Sequence, residues 1–216
     1  MKRVIIICEG PTEQEFCTEI LGLELAKHHV YVEAPLIKHS HGGIVPWSTF
    51  KRQILKHLQE GEVYVSMLVD YYGIREQFGF PGWEKSMGMV DKSDRLHFLL
   101  EQMSADIPEE YRHRFIPYIQ LHEFEGLLFS DIHAFLKSFP KDEIRFNDLQ
   151  VAVDSFENPE LINNSPQTAP SKRLINAIPD YDKIVYGNCV AIDIGLKKIR
   201  EKCPLFNEWV EKLLDN

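Results

Sequence analysis

Val4 to Ile7 form an unbroken run of four branched apolar residues. With Arg3 and Cys8 they predict a strand buried on both faces. After Glu9, Gly10 and Pro11 the apolar spacing lengthens to that of a helix from about Thr12. Thr12 and Glu15 fit a capping box with Thr12 as N-cap, and Phe16, Ile20, Leu23 and Lys27 fall on one face. His29 to Lys38 reads as a second strand, closing on "HSHGGIVP". Trp47 to Glu60 predicts a helix with Phe50, Ile54, Leu55 and Leu58 inward, stopped by Gly61. Val63 to Val69 is a third strand with Asp70 at its exit. The loop "FGFPGWEKSMG" is rich in Gly and Pro, and helical spacing returns from Asp91 to Met103. Phe115 to Leu121 completes the strands, and "HEFEGLLFSD" follows.

Strands alternating with helices imply an α/β fold with a parallel sheet flanked by helices. Beyond Ser130 the pattern changes. "PELINNSPQTAPSKRL" is turn-rich, and "VAIDIGLKKIREKCPLFNEWVEKLL" is mostly helical. The expected organisation is an α/β domain over residues 1–130 and a smaller, mainly helical C-terminal lobe over 131–216. There is no internal repeat.

Composition narrows the class. The chain has 216 residues, 44% of them hydrophobic, which is enough for a sizeable core. No apolar run approaches a membrane span, and the opening run is too short for a signal peptide, so a cytoplasmic protein is expected. The four cysteines form no CxxC pair and read as reduced thiols rather than a zinc site. A net charge of -9 argues against a surface coated in basic patches. A metal-dependent nuclease is compatible with that charge, because it needs clustered acids and only local cations.

Ligands of open parallel sheets bind outside the carboxyl ends of the strands. The predicted exits here carry Glu9, Asp70 and the pair Glu123 and Glu125. Gathered carboxylates repel one another, so a proton or a cation must balance them. Mg2+ is the natural counter-ion, with Mn2+ as a substitute: it takes hard oxygen ligands and lets phosphate complete its shell. Gly10 would let backbone approach a phosphate closely, and the following helix N-terminus would offer N–H groups to it. Each acid alone also has a plain structural reading as a strand stop or a helix start.

"IICEGPTEQEF" resembles the first motif of the Toprim fold, in which a strand ends in Glu-Gly before a helix. "VSMLVDYYG" occupies the place of that fold's Asp-x-Asp motif. The whole chain resembles an uncharacterised Toprim-like family of prokaryotes, through "EGPTEQEF", "VDYYGI", "FIPYIQLHEFEGLLFSD", "TAPSKRL" and "IGLKKIREKCPLFNEWV", in that order. The resemblance implies a Toprim-like, Rossmann-like sheet. Members are often encoded beside an ABC- or SMC-like ATPase in genome-defence settings, and abortive-infection relatives are thought to be nucleases. Glu9 matches the family's general acid or base, and Asp70 matches its first metal-binding aspartate. Tyr72 stands where a second aspartate is expected, which counts against two-metal chemistry. Glu123 or Glu125 would supply a further ligand. They point the same way if the segment is extended and diverge if a helix has begun.

Lys172 and Arg173 could hold phosphate, with Ser171 capping their helix, or they could be solvated cations. Lys197, Lys198, Arg200 and Lys202 read as a solvated helix face. His39-x-His41 lacks a third ligand and reads as a polar loop. His122 is as fitting in a site as in a structural role. Tyr71 and Tyr72 could stack on a base or pack at a rim, and Trp83 could close a lid. The expectation is a magnesium-dependent nuclease of DNA or RNA acting with an ATPase partner in prokaryotic defence. The alternative is an inactive Toprim-like subunit that binds nucleotide or a partner.

Overall fold

In the computed structural model, which describes residues 2–40, 43–163 and 165–215, the chain is an α/β protein with a parallel sheet flanked by helices. It divides into two compact units. One is Met1–Ile119 together with Trp209–Asn216, and the other is Gln120–Glu208. The sequence pattern put this division at Ser130. The stretch Phe124–Ser130 is instead a 3-10 helix, every residue of it buried, whose contacts lie with the helices that follow.

In the first unit, β1 (Lys2–Cys8) lies between β2 (Val30–Glu33) and β3 (Val63–Asp70), with β4 (Phe115–Ile116) beyond β3. All three pairings are parallel, with Ile5 opposite Glu33 and Val65, and Val65 opposite Phe115. The apolar runs explain this, because Val4 to Cys8 and Val65 to Val69 are buried without a break and so need cover on both faces. The last strand is shorter than its sequence suggests. Pro117 has no N–H for a ladder, and the chain resumes pairing with β3 only at β5 (Ile119–Gln120).

The first helical segment departs from simple periodicity. It runs as α1 (Pro11–Phe16), a π turn (Cys17–Leu21) and α2 (Gly22–Ala26). The wider π turn shifts the inward face after Ile20. Leu21 and Leu25 are buried, and Leu23, expected inward, is 62% exposed. The capping box also sits two residues earlier than expected. Gly10 is the N-cap, Pro11 takes the first helical position, and the Glu13 carboxylate accepts the Gly10 N–H at 2.9 Å. A side chain on Gly10 would crowd that carboxylate oxygen, at 3.1 Å from its Cβ.

Helix α3 (Trp47–Leu58) buries Trp47, Phe50, Gln53, Ile54 and Leu58, and Gly61 follows with φ +104°. Helix α4 (Lys92–Ala105) is capped by Asp91, whose side chain accepts the Asp94 N–H. The returning residues complete this unit's core. Trp209 stacks on Tyr118 at 4.5 Å and donates its indole N–H to Ser66 Oγ at 2.8 Å.

The second unit packs α5 (Phe146–Asp154), α6 (Pro170–Ala177), α7 (Lys183–Ile194), α8 (Leu196–Lys202) and the start of α9 (Pro204–Asp215). Leu127, Leu128, Phe135, Leu149, Leu174, Val190, Ile199 and Phe206 form its core. Buried among them, the Glu160 carboxylate accepts the N–H groups of Leu205 and Phe206, both at 2.9 Å, and so caps α9. All four cysteines are free thiols; burial pushes those of Cys8 and Cys203 up, and Cys189 is exposed. No described helix is long and apolar enough to cross a membrane.

Candidate functional site

The strand order places a reversal between β1 and β3. The chain adds β2 on one side of β1, then crosses back to add β3 and β4 on the other. Such a switch point opens a crevice at the carboxyl ends of its two strands. Glu9 follows the last residue of β1, and Asp70 ends β3. Their backbones are in step, with Cys8 opposite Leu68 and the Glu9 N–H donated to Leu68 O at 3.1 Å.

The structure brings these two acids together. Glu9 Oε2 accepts the Asp70 N–H at 2.9 Å, which fixes the carboxylate's orientation. Its other oxygen faces two glycines. A Cβ on Gly73 would come within 3.0 Å of Glu9 Oε1, and one on Gly43 within 3.9 Å. Gly73 is needed here for close approach. Both acids are half-buried.

The neighbouring aromatics are engaged differently from one another. Tyr71 stacks on Trp83 at 5.4 Å and lies 3.4 Å from Arg95 Nη1. Tyr72, in the 3-10 turn Tyr71–Gly73, is 40% exposed. Gly10, expected to let backbone approach a phosphate closely, has its own N–H taken up by Glu13.

Glu123, Glu125, Lys172 and Arg173 all belong to the second unit. A helix has begun at Phe124, so Glu123 and Glu125 diverge. Glu123 Oε2 accepts the Ser171 N–H at 2.9 Å and caps α6, a role expected of Ser171 itself. Glu125 is 2% exposed, with Lys183 Nζ 3.8 Å from Oε1. Burial, and then the Glu125 charge, push the Tyr181 phenol up. Arg173 donates Nε to Thr168 O at 2.8 Å and lies over the Phe156 ring; burial lowers its pKa. Lys172 is exposed. His122 is buried with φ +67°, a left-handed conformation costly for a non-glycine residue. His41 lies outside the described residues, so the His39-x-His41 pair has only its first member on view.

Among the described residues no group of three or more His, Cys, Asp or Glu side chains is placed to hold a metal ion. Glu9 and Asp70 nevertheless suit Mg2+. They are two carboxylates at the ends of adjacent strands, and Mg2+ needs only one or two carboxylates when waters and phosphate fill its shell.

Sequence reasoning overlooked a basic cleft of about 390 Å³ beside this edge, lined by Lys38, His39, Thr49, Arg52, Gln53 and Lys56. Its signal was present: Thr49, Arg52, Gln53 and Lys56 fall at helical spacing along one stripe of α3.

Compared with known families, residues 8–214 match the model of a domain of unknown function, DUF4276. No curated protein and no solved structure matches the chain.

Proposed function

The chain belongs to the DUF4276 family, which is defined by sequence rather than by an activity, and from its site we propose a magnesium-dependent nuclease cutting phosphodiester bonds in DNA or RNA. The observation that carries this reading is the Glu9–Asp70 pair at the strand-order reversal. Glu9, oriented by the Asp70 N–H, would move a proton at the scissile phosphate as general acid or base. Asp70 would hold the metal through its carboxylate. The metal, when bound, polarises a phosphoryl oxygen and neutralises developing charge. The Toprim-like resemblance supports the same roles, and it extends the proposal to a cytoplasmic protein of prokaryotic genome defence working with an ABC- or SMC-like ATPase. Glu123 or Glu125 as a further metal ligand, and Lys172 and Arg173 as phosphate contacts, remain part of the proposal through that resemblance.

A second reading rests on Tyr72. With a phenol where a second aspartate is expected, the same scaffold would serve as an inactive subunit binding nucleotide or a partner. A cleavage assay on DNA and RNA with Mg2+ or Mn2+, with and without the ATPase, separates the two. Cleavage by wild type, reduced ~10²–10⁴-fold in Glu9→Gln with unchanged melting, is the expected result. Absence of cleavage under every metal and partner condition overturns the nuclease. Cleavage undiminished in both Glu9→Gln and Asp70→Asn overturns the site.

A further inference from the structure

We propose that the cleft between α3 and the segment after β2 is a binding track for the sugar-phosphate backbone of one nucleic-acid strand, leading into the Glu9–Asp70 crevice. This rests on the nuclease reading and names how its substrate is held.

The cleft is a concentration of positive charge in a chain of net charge -9. Helix α3 contains no acidic residue. Lys51 is already neutralised by Asp106 at 2.9 Å, and His57 Nδ1 is engaged by Glu60 at 2.8 Å. Arg52 and Lys56 are exposed one helical turn apart, and Lys38 faces the same cleft. None of these three has an acidic partner among the described residues. Self-repelling cations without local anions are costly to hold together, and a polyanion relieves that cost by exchanging its counterions for them.

The cleft is also built. Gln53 is 7% exposed and binds the facing backbone twice, accepting the Lys38 N–H at 2.8 Å and donating to Leu36 O at 3.0 Å. That clamp fixes the distance between the α3 stripe and the Lys38–His39 side. Thr49 adds a hydroxyl at one end.

Continuity with the candidate catalytic edge decides the occupant. Cys8, the residue before Glu9, accepts the Ile37 N–H at 3.0 Å and donates to Pro35 O at 2.9 Å. The same segment then enters the cleft at Lys38, and further along it a Cβ built on Gly43 would lie 3.9 Å from Glu9 Oε1. A strand lying along Arg52, Lys56 and Lys38 is thereby delivered to Glu9. At about 390 Å³ the cleft has room for the backbone of one strand. Arg52 can take a phosphate through two N–H groups at once, and the lysines act as point charges.

Fluorescence anisotropy of labelled single-stranded DNA and RNA, in EDTA so that nothing is cut, tests this on the full chain. The double variant Arg52→Gln/Lys56→Gln should bind at least ~10-fold more weakly, and its log-affinity against log-salt slope should fall by about 1.4, two contacts at ~0.7 each. The control Lys197→Gln/Lys198→Gln should match wild type, and all three proteins should melt alike. An unchanged slope in the α3 variant, or no binding by wild type, overturns the track. So does equal competition by polyglutamate, which would make the cleft a site for acidic protein. Arg52- and Lys56-dependent binding without cleavage under any condition sustains the track and sinks the nuclease. Cleavage that is untouched in the α3 variant does the reverse.

Discussion

In the proposed role Glu9 acts only while its carboxylate keeps one orientation, and two neighbours enforce it: the Asp70 N–H on one oxygen and the bare face of Gly73 by the other. Gly73→Ala would put a methyl 3.0 Å from Glu9 Oε1 and 2.8 Å from Ile44 Cδ1. The flexible Ile44 tip can yield, whereas a displaced carboxylate would misalign the proposed proton transfer. Cleavage should fall by up to ~10²-fold with little change in melting temperature, read from kcat and thermal melts of the same preparation. Tyr72, being exposed, can be replaced without opening the core. Tyr72→Asp should keep the fold and raise Mn2+-supported cleavage by adding a hard oxygen donor, and a fall in that activity would speak against a metal at this turn.

Helix termini here are held by acids from elsewhere in the chain, which explains several carboxylates that a site-seeking reading would claim. Glu160 is the most buried, at 1% exposure, and caps α9 through two N–H groups. Glu160→Ala strands those donors and should cost roughly 2–4 kcal/mol, measured by urea denaturation. Asp106 ties α3 to the end of α4 by accepting from Trp47 Nε1 at 2.7 Å and Lys51 Nζ at 2.9 Å. Burial pushes its carboxyl up, but those two bonds outweigh it and hold the pKa below the ordinary value. Its contribution is therefore complete above the unfolded value of about 3.9 and is lost as pH falls through the lower folded one. Asp106→Asn should be less stable than wild type at neutral pH, and the difference should close in strong acid, as paired thermal melts across that range would record.

The two chain ends meet in one unit, because Trp209 and its successors pack with β1, β3 and Tyr118. Lys2 Nζ donates to Leu213 O at 2.6 Å, and the Ser66 hydroxyl donates to Ile116 O at 2.5 Å. Trp209→Ala should cost about 3–5 kcal/mol, and Trp209→Phe, which keeps a ring in the stack but removes the indole bond to Ser66, about 1–3 kcal/mol. The proposed metal binding would also act on the whole molecule, since the acid pair exists only when folded. Mg2+ or Mn2+ should raise the melting temperature, by the equivalent of about 2.7 kcal/mol at a hundredfold excess over Kd. Glu9→Gln or Asp70→Asn should weaken that rise, and its absence in wild type would speak against a preformed site.

The β1 and β3 strands, their parallel partnership and the acids at their exits were legible in the residues, because an unbroken apolar run can be satisfied only by burial on both faces. The stripe on α3 was equally readable as spacing. What the residues alone left open depended on what lay opposite in space. The π turn moved Leu23 outward, since a period is altered by one wide turn that no local preference announces. Two acids spaced by one residue parted because a helix began between them, giving Glu123 to the start of α6. The return of Trp209 to Ser66 spans 143 residues, and no local pattern encodes such a contact. Sequence by itself determined the elements and their buried faces, which follow from the polarity of near neighbours. Tertiary structure decided which carboxylates cap helices and which stand together at the strand-order reversal, because a carboxylate's role is set by the N–H groups and charges that folding brings to it.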